Sequence, residues 1–284
     1  MPFTIDEAQR AGVSLSRVRA SDLDRSVWGV RSAHPATTLA VRSRLFAHRL
    51  PDVVLSHTTA AQLHGIPVPL AWAKDERVHV CVEPPRRAPH AQGLIGHRLP
   101  AVEGDIIDLH GSAATSAVRT WIDLGSMLSL TALVAAGDFV IHHRLPLATV
   151  DQLRERLRMQ GSARGTRRLR QAIDLLSDRA ESPPESELRV ILALGGLPAP
   201  VINHVLVDTE TGSHVRPDFL FRNQRVILEY QGDYHRTKQQ WRKDMTRRTR
   251  LEVRDWYVME LNADDLKDPA ELVVRIRAVL ARRG

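Results

Sequence analysis

The stretch RPDFLFRNQRVILEYQGDYH, residues 216–235, decides the fold predicted for the C-terminal part of the chain. It contains two short apolar runs, FLF and VIL, separated by the turn-like residues RNQR. Two such runs joined by a short polar turn are typical of a β-hairpin. Side chains alternate between the two faces of a strand, so Ile227, Glu229 and Gln231 are predicted to project from the same face.

Polar residues in this hairpin indicate a metal site. Asp218 follows a proline just before the first apolar run, Glu229 closes the second run, and Gln231 lies two residues further on. Mg²⁺ takes oxygen ligands and is usually bound through one or two protein carboxylates. Carboxylates on two adjacent strands therefore predict a site for a hard divalent cation between Asp218 and Glu229.

These residues resemble the motif of the PD-(D/E)XK nuclease superfamily. Pro217 and Asp218 match the PD of the motif, and Glu229 matches its second acid. Gln231 stands where the superfamily most often has lysine, which is a departure from the pattern.

Within that superfamily, the sequence is similar to the branch related to very short patch repair endonucleases. That branch also has a glutamate on the preceding helix, a place that Glu185 matches. The resemblance covers residues 181–284. It rests on the run 229–235 together with Trp241, Asp244 and Arg247.

The resemblance implies hydrolysis of a DNA strand that depends on Mg²⁺ or Mn²⁺, with Asp218, Glu229 and Glu185 as metal ligands. Gln231 would orient water or contact the metal, but it cannot supply the positive charge of a lysine. His235 would be a general acid or base near neutral pH. Two alternatives stay open: Glu185 can instead be an acid that favours a helix N-terminus, and His235 can be a loop-packing residue.

The elements around the hairpin follow the order that this superfamily has. The predicted elements are a helix at 184–194, strands at 201–207, 215–221 and 225–231, a helix at 237–253, a strand at 257–261 and a helix at 269–282. The implied fold is a restriction-endonuclease-like αβββαβα core with a mixed sheet, over residues 181–284.

The charge balance of this region suits a phosphodiester substrate. Between Arg216 and Arg254 there are eleven Lys and Arg residues and five Asp and Glu residues. Basic side chains hold a nucleic-acid backbone while carboxylates hold the metal, although an ion-pair network without catalysis can use the same residues. The residues expected to contact nucleic acid in this region are Arg216, Arg236, Arg242, Lys243, Arg247 and Arg248.

Composition predicts a globular protein of two or three domains, since the chain has 284 residues, of which 43% are hydrophobic and 26% charged. The single cysteine, Cys81, excludes a disulfide framework and a thiolate zinc site. Acids at the start of the chain and the lack of a long apolar run predict a cytoplasmic protein with no membrane partner. The formal net charge of +7 and the pI of about 10.2 favour a polyanionic partner.

Residues 1–50 are predicted to form a winged helix-turn-helix-like domain. Thr4 and Glu7 have the spacing of a capping box. Arg17 and Arg19, on the second helix, would face DNA. The predicted elements are a helix at 5–11, a second helix at 16–20 and a wing strand at 27–31. The pattern resembles the N-terminal domain of abortive-infection type IV antitoxins; the alternative is a small helical cap without DNA contact.

Residues 51–180 are predicted to form an α+β middle domain whose layout resembles the same antitoxin-like proteins. The histidine pairs 57/64 and 142/143 lack the i,i+4 spacing with an acid that a zinc motif has, so they are predicted to be surface or hydrogen-bonded histidines. The predicted elements from the end of the first domain onward are a helix at 37–48, a strand at 53–57, a helix at 58–64, strands at 78–82, 93–98 and 105–109, and helices at 114–124, 129–142, 146–159 and 167–177.

Three functions stay open at this point. The first is a metal-dependent DNA endonuclease, targeted by the N-terminal domain. The second is a DNA-binding transcriptional regulator or antitoxin-like protein whose nuclease fold is catalytically degenerate. The third is an RNA-processing enzyme. DNA is the expected partner, and a second copy of the chain and a toxin or defence-system protein are further candidates.

Overall fold

The computed structural model describes residues 2–207, 214–232 and 238–284, without the side chains of residues 238–244 and 247. Residue contacts divide the chain into two units. The N-terminal unit comprises Met1–Ser129 with Leu147–Ile173, and the C-terminal unit comprises Leu130–Pro146 with Asp174–Gly284. The division into domains at 1–50, 51–180 and 181–284 stays a prediction.

The fold is mixed α/β, as predicted. In the described part of the chain the helices are α1 (Ile5–Arg10), α2 (Leu15–Val18), α3 (Leu39–Arg49), α4 (His57–Leu63), α5 (Leu70–Ala73), α6 (Ala117–Leu124), α7 (Leu130–Val140), α8 (Val150–Arg158), α9 (Thr166–Ile173), α10 (Pro183–Leu194), α11 (Lys238–Val253) and α12 (Pro269–Arg283). None of these helices has the length and apolar character needed to traverse a bilayer.

The strands of the described residues are short. They are β1 (Phe3–Thr4), β2 (Val30–Arg31), β3 (Val54–Leu55), β4 (Val78–Val82), β5 (Leu94–Arg98), β6 (Ile106–Leu109), β7 (Ser112–Thr115), β8 (Val201–Ile202), β9 (Leu206–Val207), β10 (His214–Val215), β11 (Phe219–Phe221), β12 (Val226–Tyr230) and β13 (Tyr257–Leu261). They form two larger sheets, one in each unit, and two two-stranded pairs.

The N-terminal unit is built on a five-stranded sheet in the order β5-β4-β3-β7-β6. The pairs β4/β5 and β3/β7 are parallel and the other pairs are antiparallel, so the sheet is mixed. A cluster that includes Phe46 of α3, Leu55 and Val80 is buried on one face. Alternation along β4 sends His79 and Cys81 to the opposite face.

The helix predicted from residue 114 begins later than expected. Residues 112–115 form strand β7, and α6 starts at Ala117 because the hydroxyl of Ser116 caps it by accepting a hydrogen bond from the N–H of Arg119 at 3.3 Å. A serine at the N-cap satisfies one of the free amide groups at the start of a helix. The sequence alternation of β7 is too short to distinguish it from the helix that follows.

The N-terminal residues have the predicted capping box. The Thr4 side chain accepts from the N–H of Glu7, and the Glu7 carboxylate accepts from the N–H of Thr4, which with His48 lowers the pKa of Glu7 to about 2. The second helix, α2, is a single turn, and β2 pairs with β1 in an antiparallel ribbon. The winged helix-turn-helix assignment stays a prediction.

The C-terminal unit is built on a four-stranded mixed sheet in the order β13-β12-β11-β8. The predicted hairpin is confirmed, since β11 and β12 pair antiparallel across residues 222–225, and β13 then pairs parallel with β12. Phe219 and Leu228 lie in a cluster with α10 and α12 on one face. Leu220 and Ile227 lie on the other face with Leu251 of α11.

Two strands predicted in this unit are each divided in two. The predicted strand 201–207 is interrupted after Ile202 by Asn203, whose φ of 48° is left-handed. The predicted strand 215–221 is interrupted at residues 216–218, where Pro217 has no N–H to give to a ladder. Both interruptions lie beside the candidate metal ligands, and the order of helices and strands is otherwise the predicted one.

Candidate functional site

Asp218 and Glu229 lie at the same end of the C-terminal sheet. Phe219 is the register partner of Leu228, so the next pair along this antiparallel ladder is Asp218 with Glu229. Each residue is two positions from a member of the Leu220/Ile227 pair, which places both on the α11 face of the sheet. The hairpin therefore brings both predicted carboxylates to one end of one face.

Backbone donors hold Asp218 in place. Its Oδ2 accepts a hydrogen bond from the N–H of Tyr230 at 2.7 Å, which fixes the carboxylate against β12 next to Glu229. Asp218 is half-buried, whereas Glu229 is 6% exposed. A half-buried acid beside a buried one leaves the pair open to solvent from the side of Asp218.

Glu185 caps the helix that carries it. Its Oε1 accepts from the Ser182 hydroxyl at 2.8 Å and its Oε2 accepts from the N–H of Glu181 at 3.1 Å, while the Ser182 hydroxyl accepts from the N–H of Glu185. Pro183 and Pro184 occupy the first turn, where a missing N–H costs nothing. The structure thus gives Glu185 the helix-terminal role that the sequence left open, and its role as a metal ligand stays a prediction.

Asn203 connects the predicted site residues, and the sequence did not indicate it. Its backbone N–H donates to the carbonyl of Asp218 at 2.9 Å, and its side-chain Nδ2 donates to Oε2 of Glu185 at 2.8 Å. Its own carbonyl accepts from Nε of Arg216 at 2.9 Å. Asparagine tolerates the left-handed backbone that this position has. The only sequence signal was a polar residue between two strand-forming runs.

Arg216 lies close to several acidic side chains. Its two terminal nitrogens bind Glu181 at 2.8 and 2.7 Å, a bidentate pair. The hydrogen bonds that Arg216 donates to Glu181 raise the pKa of Arg216, and the negative charges of Glu181, Glu185 and Asp218 raise it further. Arg216 is one third exposed, so it presents positive charge at the edge of the acidic cluster. Its contact with nucleic acid stays a prediction.

A third acid lies beside Glu229 on the sheet. Glu260 is the register partner of Glu229 on the parallel strand β13, and it is 38% exposed. Arg248 binds Glu252 at 2.8 Å and approaches Glu260 to 3.9 Å. The guanidinium of Arg248 is therefore shared between two acids, and its predicted contact with DNA would have to compete with them.

Gln231 follows β12, and its backbone N–H donates to the carbonyl of Leu261 at 2.6 Å. This bond continues the β12/β13 pairing and keeps Gln231 on the face that carries Glu229. The water-orienting role of its amide stays a prediction.

Several predicted site residues lie outside the described part of the chain. His235 and Arg236 fall in the gap 233–237. Arg242, Lys243 and Arg247 lie on α11, but their side chains are outside the described ones. The roles predicted for these five residues therefore stay predictions.

Arg17 and Arg19, the two N-terminal arginines predicted to face DNA, lie on the surface. Arg17 is exposed and pairs with Asp22 at 2.7 Å, and the carbonyl of Arg19 accepts from the side chain of Arg25. Exposed ion pairs of this kind contribute little to stability. Both side chains are accessible to a nucleic acid, and their role stays a prediction.

Three acids occupy neighbouring positions at this end of the C-terminal sheet. Asp218 immediately precedes β11, Glu229 lies on β12 and Glu260 lies on β13, so each offers carboxylate oxygens. Oxygen donors suit Mg²⁺ and Mn²⁺ better than softer metals. The binding of such an ion by these acids stays a prediction.

Comparisons with known proteins find full-length but distant relatives. No protein-family model matches the sequence. Two proteins of Mycobacterium tuberculosis, uncharacterized protein MT2308 and uncharacterized protein Rv2248, are each 25% identical to this chain over 268 residues, which cover 94% of this chain and 95% of the relative. A crystal structure of the RV2827C protein from the same organism is similar over 72% of this chain and 77% of that chain, with 17% identity and a TM-score of 0.41. None of these names states an activity.

Proposed function

We propose that the C-terminal unit is a metal-dependent endonuclease domain that hydrolyses phosphodiester bonds of DNA, with a PD-(D/E)XK type of site. The observation that carries this proposal is the placement of Asp218, immediately before β11, and Glu229, on the adjacent strand β12, at the same end and on the same face of a mixed sheet. The order of elements from α10 to α12, in which two of the predicted strands are each divided in two, is a further support for the proposal.

In this proposal, Asp218 and Glu229 hold the cation and the backbone of β12 holds Asp218. Asn203 joins the helix that carries Glu185 to the loop that carries Asp218. Arg216 attracts the phosphate backbone to the edge of the acidic cluster, because basic side chains supply most of the affinity for a nucleic acid. Gln231 orients the attacking water, and His235 would exchange the proton.

Mg²⁺ or Mn²⁺ bound by these carboxylates would act as a Lewis acid and offset the negative charge that develops on the phosphate. The residues of the chain would hold the substrate and the water in line with the scissile bond. Removing either carboxylate should then reduce the reaction without preventing DNA binding, since the acids repel phosphate and the arginines bind it.

Replacing Asp218 by asparagine should lower the rate of metal-dependent DNA cleavage about 100-fold. The Asn side chain can still accept the hydrogen bond from the N–H of Tyr230, so the hairpin should remain folded while the negative charge is lost. The measurement is nicking of supercoiled plasmid with Mg²⁺ or Mn²⁺. Asp264→Asn is the matched control, because Asp264 is an exposed acid of the same unit that pairs with Lys267.

The outcomes of this assay separate the candidate functions. Equal cleavage by the native protein and by Asp218→Asn would place the activity elsewhere and contradict the proposal. No cleavage with any metal on DNA or RNA, together with intact DNA binding, would favour the DNA-binding regulator with a degenerate nuclease fold. Cleavage confined to RNA substrates would favour the RNA-processing enzyme.

Replacing Asn203 by glycine should lower the cleavage rate about 10-fold, with little change in affinity for DNA. Glycine adopts the left-handed backbone freely, so the substitution removes the amide that binds Glu185 without straining the chain. Single-turnover cleavage rates and DNA titrations measure the two quantities separately. Asn223→Gly, in the exposed turn of the hairpin, is the control, and an unchanged rate in Asn203→Gly would show that Asn203 does not position the site.

A further inference from the structure

Three histidines meet on one side of the N-terminal sheet. His57 begins α4, His79 lies on β4 and His97 lies on the neighbouring strand β5. One ring nitrogen of each lies within 4.8 Å of a ring nitrogen of the other two. The three residues are distant in the sequence. His64 was predicted to be a surface or hydrogen-bonded histidine, and its Nε2 donates to the carbonyl of Thr115 at 2.8 Å.

The contacts within the cluster engage only part of its nitrogens. Nδ1 of His79 and Nε2 of His97 are 2.9 Å apart, and the rings of His57 and His97 are stacked with centroids 3.6 Å apart. Nδ1 of His57 contacts the hydroxyl of Ser56 at 3.0 Å, which leaves its Nε2 for another partner. Among the described residues, Nε2 of the 1% exposed His79 has no hydrogen-bond partner.

The nitrogen of His79 that faces His97 is Nδ1, so the ring presents this atom, and not its partnerless Nε2, to the other histidines. The backbone of His57 is unusual, because its φ of 50° is left-handed. Residues held in sparsely populated backbone conformations cluster at functional sites. Here the unusual backbone directs the imidazole of His57 towards the two strand histidines.

The surroundings keep the imidazoles uncharged. Burial lowers the pKa of His57 well below its usual range, with further lowering by His97, His79 and Arg119. Burial and then His97 lower the pKa of His79 to about 4, although Asp75 opposes this. Burial also lowers the pKa of His97. Neutral imidazole is the form that binds metal, so no proton has to leave a charged ring first.

We propose that His57, His79 and His97 form a binding site for a divalent transition metal of the Zn²⁺ type in the N-terminal unit. Three imidazoles are a donor set for Zn²⁺, Co²⁺, Ni²⁺ or Cu²⁺ and not for Mg²⁺, which prefers oxygen. This site is separate in residues and in chemistry from the carboxylate site of the C-terminal unit. Three protein ligands leave one tetrahedral position for water or an external ligand.

The geometry needs only local adjustment to hold the ion. Metal–nitrogen bonds of about 2.0–2.1 Å in a tetrahedral site separate two ligand nitrogens by about 3.3 Å. The 2.9 Å between His79 and His97 must therefore open by a few tenths of an ångström. The planes of the His57 and His97 rings differ by 18°. The ring of His57 must rotate out of this stack so that its Nε2 points to the ion. His97 is half-buried and provides the route of access.

The test is a titration of the full chain, stripped of metal by a chelator, with Co²⁺ and then with Zn²⁺. It is done in the Asp218→Asn background, so that its outcome does not depend on the carboxylate site. We expect one equivalent of Co²⁺ to give the strong visible absorption of a tetrahedral site, and Zn²⁺ to displace it. His97→Gln should weaken the affinity about 100-fold or more, whereas His90→Gln, at an exposed position, should leave it unchanged.

Thermal unfolding without metal tells whether His97→Gln still folds. If His97→Gln folds and binds Co²⁺ as tightly as the protein with His97 does, the proposal of a three-histidine site is contradicted. If it does not fold, the native chain and His90→Gln decide the matter. The proposal is also contradicted if one equivalent of Co²⁺ gives no absorption, or only the weak absorption of an octahedral oxygen site, in the native chain or in His90→Gln.

Discussion

Replacing Asp105 by alanine is expected to lower the free energy of unfolding by about 3–5 kcal/mol. Asp105 is the centre of a buried ion cluster in the N-terminal unit. Its Oδ1 accepts from Nε of Arg156 at 2.8 Å, and its Oδ2 accepts from Nη1 of Arg119 at 2.6 Å and from Nη2 of Arg156 at 2.9 Å. Removing the carboxylate leaves buried positive charge without its counter-ion. This lowers the free energy of unfolding more than replacing the whole ion pair by apolar side chains would.

The two acids of this cluster differ in the way their surroundings shift the pKa. Burial opposes ionisation of Asp105, but hydrogen bonds from Arg156, the N–H of Val102 and Arg119 outweigh it and lower the pKa. Burial raises the pKa of Asp123 to about 6, although the hydrogen bond that its Oδ1 accepts from Arg119 at 2.8 Å opposes this shift. Asp105 is therefore the acid whose negative charge holds the cluster together.

Denaturant unfolding of the full chain measures this loss. Asp52→Ala is the matched control, since Asp52 forms an Asp–Arg pair with Arg86 that is more than half exposed on both sides. The control should lose no more than about 1 kcal/mol. Equal losses in the two variants would mean that burial adds nothing to the Asp105 cluster and would contradict the prediction.

Replacing Asp138 by alanine is expected to cost a similar amount, about 3–5 kcal/mol, in the C-terminal unit. Asp138 lies on α7 and its carboxylate is 2% exposed. Its Oδ1 accepts from the N–H of Ser177 at 2.7 Å, and its Oδ2 accepts from the hydroxyl of Ser186 at 2.7 Å and from Arg189. Burial raises the pKa of Asp138, which shows how much its charge depends on these donors.

A double substitution tests the mechanism. Asp138→Ala leaves the Arg189 guanidinium, 11% exposed, without its acid. Asp138→Ala combined with Arg189→Met removes both charges, and should recover about half of the loss, because the cost comes mainly from one buried unpaired charge. Asp264→Ala, at an exposed pair of the same unit, is the control. No recovery in the double variant would show that the loss arises from a cavity and not from charge.

The Asp138 cluster also supports the candidate site. Ser186 and Arg189 lie on α10, the same helix whose first turn carries Ser182 and Glu185. Weakening the attachment of α10 to α7 should therefore reduce DNA cleavage as well as stability. Cleavage assayed well below the unfolding midpoint separates this effect from global unfolding.

Local patterns in the sequence predicted much of this structure. The capping box of Thr4 and Glu7, the hairpin that places Asp218 beside Glu229, and the strand at 257–261 all depend on residues that are close in the sequence. Helix caps, turns and strand alternation each involve residues that are only a few positions apart. Their patterns can therefore be recognised in the sequence alone.

The tertiary structure decided which of the local elements pack together. The helix predicted at 129–142 is α7, and it groups with the C-terminal unit, where a buried acid attaches it to α10. Asn203, the Asp105 cluster and the three histidines likewise gain their roles from residues distant in the sequence. The physical reason is that burial and electrostatic pairing depend on distance in space, and composition and periodicity do not contain that distance. The sequence by itself thus determined most of the elements and the two candidate carboxylates, and the folded chain determined the remaining strand and helix boundaries and what surrounds the carboxylates.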